Sequence, residues 1–115
     1  MTKTATTRIL RFFTLALLAS AAGAEAQTTG QGEAVYTAQK CALCHALDGK
    51  GNAKGPLDGV GAKLSADDIR KWIVTPKEMT AASNATRKPL MRPYPSLPKE
   101  DLDALVAFLA AKKTP

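Results

Sequence analysis

The sequence predicts a small all-α domain of three helices joined by long loops, and three observations predict it. Leu102, Leu105, Val106 and Leu109 recur at helical spacing near the C-terminus. Ser65, with Asp68 three residues on, reads as a capping-box-like start of a second helix that Pro76 ends. No segment alternates apolar and polar side chains as a half-buried strand would. Of 115 residues, 45% are hydrophobic and 23% charged, ordinary globular usage that excludes a disordered, collagen-like or low-complexity chain. Aromatic residues are only 5%, so the core must draw on aliphatic side chains or on something the chain does not encode.

The elements follow in order. Lys3, Arg8 and Arg11 form a basic start, Phe12 to Gly23 is an apolar run, and Ala24-Glu25-Ala26 is a small-x-small cleavage site, so residues 1–26 are expected to be a secretory signal peptide. The alternative, an uncleaved membrane anchor, meets an uncharged run of 13 residues from Phe12 to Ala24. A bilayer span needs roughly 18 to 20. The expected mature domain is residues 27–115, 89 residues with 13 basic and 9 acidic side chains and a charge of +4 against +6 for the whole chain. A first helix is expected from Gly32 to about Cys44, with Tyr36 packing against Phe108 of the last helix and Gly32 permitting the close approach. Gly49, Gly51, Gly55, Gly59 and Gly61 follow. They lack the spacing of a nucleotide-binding loop and follow no strand, and glycines let a backbone approach a flat group closely. After the second helix, Lys88-Pro89-Leu90-Met91-Arg92-Pro93-Tyr94-Pro95-Ser96-Leu97-Pro98 is a proline-stiffened loop leading into the third. There Glu100 and Asp101 at the start, and Lys112 and Lys113 near the end, are expected to complement the helix dipole.

A domain of this size is only marginally stabilised by burial alone and commonly recruits a disulfide, metal or cofactor. Cys41-Ala42-Leu43-Cys44-His45 holds both cysteines and the sole histidine. A structural zinc site wants four ligands, and no second pair lies downstream. A thioredoxin-like pair needs a buried strand ahead of it, yet residues 32–40 contain no β-branched run. A plain disulfide gives His45 no reason to follow directly. Cys-x-x-Cys-His is the established attachment signature of c-type haem. Two thiols one helical turn apart can each add to one vinyl group of the same porphyrin, and the adjacent imidazole then lies against the iron face. With His45 as one axial ligand, the sixth position can be filled by Met91 on the stiffened loop or by Met79 just after the second helix, and the loop context favours Met91. Prolines lower in advance the cost of ordering the segment that carries it.

These segments together resemble the class I c-type cytochromes, in particular the short soluble monohaem proteins of bacteria. The resemblance covers nearly the whole mature chain: Gly32-x-x-x-Tyr36 ahead of the haem motif, Gly55-Pro56-Leu57 after it, Ile69-Arg70-Lys71-Trp72-Ile73, and Met91-x-Pro93-Tyr94 leading into Asp101-Leu102-x-x-Leu105-Val106-x-Phe108-Leu109. It implies a cytochrome c-like fold wrapped around one covalently attached haem c. It also implies that the carbonyl of Pro56 takes the imidazole N–H of His45 and that Trp72 packs near the haem propionates, whereas helical spacing with Ile69 and Ile73 alone reads Trp72 as core. Two features depart from the family: Arg92 stands between Met91 and Pro93, and Pro98 occupies the place of the usual Ser or Thr cap.

Iron held by His45 and Met91 is six-coordinate and can exchange an electron without making or breaking a bond, which describes a carrier and not an enzyme. The expected role is periplasmic transfer of single electrons with redox partner proteins, a dehydrogenase, reductase or terminal oxidase. Rival readings are a haem sensor or peroxidase-like protein with an open distal site, the cytochrome subunit of a periplasmic dehydrogenase complex, and a haem-free thiol-disulfide protein. Arg87, Lys88, Arg92 and Lys40 would border the exposed haem edge in the resembled family and could steer encounters with an acidic docking patch. Their alternative is an ordinary solvated surface. No recognition-helix motif points to nucleic acid, and no membrane span is expected after cleavage.

Overall fold

The computed structural model of the chain describes residues 21–115. The basic and apolar segment expected to direct export falls mostly on residues 1–20, outside the described residues, and the expected cleavage point after Ala26 falls inside the first described helix. Five α-helices form among the described residues: α1 (Ala21–Ala38), α2 (Val60–Lys63), α3 (Ala66–Val74), α4 (Pro76–Ser83) and α5 (Lys99–Ala110). A 3-10 turn (Cys41–Leu43) and a minimal hairpin of β1 (Ala46–Leu47) and β2 (Lys50–Gly51) lie between α1 and α2. The all-α expectation holds, with two short helices beyond the three expected and one two-residue ladder.

The first helix ends earlier than its pattern suggested. Gln39 N–H still bonds the Val35 carbonyl, but Lys40 adopts a left-handed conformation with φ 56°, which turns the chain out of the helix before Cys41. Ser65 behaves as expected, its Oγ accepting the backbone N–H of Asp68 at 3.1 Å with Asp67 and Asp68 in the first turn of α3. Pro76 both stops α3 and opens α4, since its fixed φ and missing N–H suit a first helical position. Lys112 and Lys113 do not serve the dipole of α5 as expected. They lie beyond its end, where Lys112 pairs with Asp48 at 2.8 Å and Lys113 donates to the Gly61 carbonyl at 2.6 Å.

The core is the crossing of α1 and α5, onto which α3 packs. Val35, Tyr36, Ile69, Ile73, Leu105, Val106, Phe108 and Leu109 are buried there, joined by Leu47 from the hairpin. Tyr36 and Phe108 meet with ring centroids 5.9 Å apart and planes tilted by 58°, the pairing expected from the sequence. A Cβ at Gly32 would run into the Ala104 carbonyl and the Phe108 Cβ, so only glycine lets the two backbones come this close. Gly61 does the same for α2 against Ala110.

Candidate functional site

Once Lys40 has turned the chain, Cys41–Leu43 winds as one 3-10 turn, closed by the N–H groups of Cys44 and His45 on the Cys41 carbonyl at 3.1 and 2.9 Å. Both cysteines of Cys-x-x-Cys therefore stand on a single turn with free thiols, Cys41 half-buried against the core and Cys44 exposed. Burial pushes the Cys41 thiol up to about 11. A thiol-disulfide catalyst needs the opposite shift, toward thiolate, so the environment of Cys41 argues against that rival. Among the described residues no cluster of three or more His, Cys, Asp or Glu side chains could hold a bare metal ion.

His45 is half-buried, and its Nδ1 lies 3.1 Å from the carbonyl oxygen of Gly55. A carbonyl only accepts, so Nδ1 carries the proton and Nε2 keeps its lone pair, the state an axial ligand needs. The residue providing the acceptor is Gly55 and not Pro56, as the family resemblance had implied. Pro56 comes next in the chain, where a parallel bridge to Ala46 is closed by Ala46 N–H on Gly55 O at 3.0 Å and Leu57 N–H on Ala46 O at 2.8 Å. That bridge points the Gly55 carbonyl at the imidazole. Burial lowers the pKa of His45; the Gly55 hydrogen bond opposes this and the nearby charge of Arg87 reinforces it. Gly51, at φ 103°, allows the hairpin to close beneath the site, since a Cβ there would strike the His45 carbonyl.

The segment bearing Met91 returns to this side of the molecule. Met91 is half-buried and packs against the core cluster together with Leu57, Val60, Leu64, Tyr94 and Leu97. Tyr94 anchors the segment: its N–H bonds the Ile73 carbonyl at the end of α3 at 2.9 Å, and its hydroxyl reaches the Gln39 carbonyl at the end of α1 at 3.5 Å. Met79 sits in α4, half-buried. Trp72 is half-buried on α3 between the buried Ile69 and Ile73. The four cations proposed for docking, Lys40, Arg87, Lys88 and Arg92, are all exposed. Arg92 also lies over Tyr94, its Nε donating to the hydroxyl at 3.1 Å with the guanidinium 5.3 Å from the ring centroid, and Arg87 donates from Nη2 to the Cys44 carbonyl.

The family model for cytochrome c matches residues 30–113, most of the described chain, and the protein belongs to that family. It is similar to cytochrome c oxidase subunit 2 of Alkalihalophilus pseudofirmus, 29% identical over 92 residues, an alignment that takes in 72% of this chain and spans only 25% of the relative's length. No solved structure matches. Members of the family carry covalently attached haem c, and this chain is accordingly a haem-binding electron-transfer protein.

The residues present fit that group. Two unpaired thiols stand on one turn, directly before an imidazole whose Nδ1 is committed to a carbonyl, and Cys41 packs against the same core cluster as the half-buried Leu57, Leu64 and Met91. The sequence pointed to Cys41, Cys44 and His45 through local spacing. It missed Gly55, Tyr94 and the bond from Arg87 to Cys44, because each acts through a backbone carbonyl that spacing does not reveal. Gly55 alone left a signal, a glycine directly before the proline that the resemblance had singled out.

Proposed function

We propose that the protein is an exported, periplasmic carrier that shuttles single electrons through a haem c held by Cys41 and Cys44 and ligated by His45 and Met91. The observation that carries the reading is the His45 imidazole, held with Nδ1 on the Gly55 carbonyl directly after a turn bearing two free thiols. Cys41 and Cys44 would hold the porphyrin edge, and His45 Nε2 and the Met91 sulfur would face the iron from opposite sides. When bound, the haem supplies a one-electron centre whose potential a methionine ligand raises. The chain's own part is to fix the imidazole orientation through Gly55, to keep the Met91 segment anchored through Tyr94, and to shield one face with aliphatic side chains.

Met91 is preferred to Met79 because it packs against the same apolar cluster as Leu57, Leu64 and Tyr94. With Met91 as ligand the sixth position would be filled, which is why carrier is preferred to sensor or peroxidase. Export is supported by the basic, apolar and small-residue order of residues 1–26. The redox partners proposed are a dehydrogenase or reductase as donor and a terminal oxidase as acceptor, the latter supported by the likeness to an oxidase subunit. Lys40, Arg87, Lys88 and Arg92 are all exposed and available for an acidic docking patch, Arg87 and Arg92 while also bonded within the chain.

The test is protein made with the haem-attachment machinery. Its pigment is expected to stay with the polypeptide through acid-acetone extraction, and its ferric form to show the weak near-infrared sulfur-to-iron band. That band is expected to vanish in Met91→Ala and persist in Met79→Ala. Complete extraction of the pigment overturns covalent attachment, and the reverse pattern of mutants moves the ligand to Met79.

A further inference from the structure

Arg87 lies in the exposed segment between α4 and Met91, four residues ahead of the proposed ligand. The side chain is exposed, yet its guanidinium is engaged within the chain. Nη2 donates to the carbonyl of Cys44, the last residue of the attachment turn and 43 positions away in sequence. Nη1 and Cζ occupy the space where a Cβ on Gly55 would stand, so the guanidinium lies against the backbone of the residue whose carbonyl receives the His45 proton. Gly55 is itself buried. One side chain thus touches both pieces of backbone that flank the imidazole, and it is carried by the segment that leads to the proposed ligand Met91.

We propose that Arg87 is a positioning residue that cross-links the Met91 segment to the mount of His45, clamping the Cys44 and Gly55 backbones so that the Nδ1–H···O bond stays closed. The proposal rests on the reading that His45 is the iron's proximal ligand. Geometry favours arginine for this role, because a guanidinium presents several donors in one rigid plane and can lie against a glycine while bonding a neighbouring carbonyl. A lysine is a point charge on a flexible stem and can make the carbonyl bond without filling the plane beside Gly55. The charge-assisted bond also satisfies a carbonyl at the end of the 3-10 turn, where backbone acceptors lose their helical partners.

The experiment uses the haem-loaded ferrous protein, whose ring protons are readable by NMR, in wild type, Arg87→Gln, Arg87→Lys and the surface control Lys77→Gln. Exchange of the His45 Nδ1 proton is expected to quicken about tenfold in Arg87→Gln, the ratio set by losing one hydrogen bond to a charged group, and by an intermediate factor in Arg87→Lys. Exchange of the buried Leu105 amide in α5 should stay unchanged, which separates a local mount from general loosening. Lys77→Gln is expected to match wild type in both. In the unmutated protein, cross-peaks are expected between the Arg87 guanidinium protons and the Gly55 α-protons, a readout that does not depend on any variant folding. Missing cross-peaks, or a His45 proton that exchanges in Arg87→Gln within about twofold of wild type, overturn the proposal. A wild-type protein that forms no haem adduct, or whose imidazole is not on the iron, overturns the ligand reading beneath it instead.

Discussion

At the crossing of α1 and α5, Tyr36, Leu105, Val106, Phe108 and Leu109 are each at most 8% exposed, and Gly32 brings the two backbones together with no room for a methyl group. Along the edge of that core, by contrast, Leu57, Val60, Leu64, Met91 and Leu97 stop half-buried, and Leu43 in the attachment turn and Leu90 beside Met91 stand out at 71% and 47% exposure. The first region is closed by its own side chains. The second leaves apolar side chains partly exposed, in a chain poor in aromatic residues. The difference teaches that the helices close one part of the core by themselves, and that a bound haem would be what covers the other.

The strongest way to break that contrast is to withhold the haem. Cys41→Ala/Cys44→Ala, made without haem, is expected to lose most of its far-ultraviolet helical signal, because the helix crossing alone is a small core for a domain of this size. A cooperative, helical apoprotein would mean that the crossing suffices by itself. The next largest effect is expected within the crossing. Phe108→Ala should cost about 3 to 5 kcal/mol in denaturant unfolding of the haem-loaded protein, and Gly32→Ala about 1 to 3 kcal/mol through overpacking against Ala104 and Phe108.

A smaller effect of opposite sign is expected at Tyr36, whose buried hydroxyl has no hydrogen-bond partner among the described residues. Tyr36→Phe keeps the ring contact with Phe108 and removes the unpartnered group, so it should stabilise the protein by about 1 kcal/mol at neutral pH. Burial pushes the phenol from 10 up to about 12. The unfolded chain therefore ionises before the folded one. Wild-type stability is whole below pH 10, falls as pH rises toward 12, and the advantage of Tyr36→Phe should widen over that window. Denaturant midpoints at pH 7 and 11 measure it, and equal differences at the two pH values would contradict the assigned cause. The smallest effect is expected at the exposed rim, where Leu43→Ala should change stability by less than about 0.5 kcal/mol. A loss comparable to that of Phe108→Ala would show that the rim is part of the core.

Much of this was legible in the chain. Ser65 capping, the apolar spacing from Leu102 to Leu109, the Tyr36–Phe108 contact and the glycine at the crossing all follow from periodicity and residue chemistry within one helix or between two. The break at Lys40 was not, because no local rule asks a lysine to turn left-handed. Nor was α4, whose start at Pro76 reads equally well as the stop of α3. Lys112 and Lys113 look like dipole partners in sequence, yet the chain beyond α5 folds back and brings them to Asp48 and Gly61.

By itself the sequence determined the attachment signature, since two thiols and an imidazole within five residues are close together in any local conformation. It also determined the helices that carry a strong apolar period. Only the tertiary structure decided which carbonyl holds His45, which elements anchor the Met91 segment, and that Arg87 reaches the backbone of Cys44 and Gly55. Those contacts join residues ten, twenty-one and forty-three positions apart. Their acceptors are backbone carbonyls that every residue possesses, so the side chains carry no mark of the pairing until the fold brings them together.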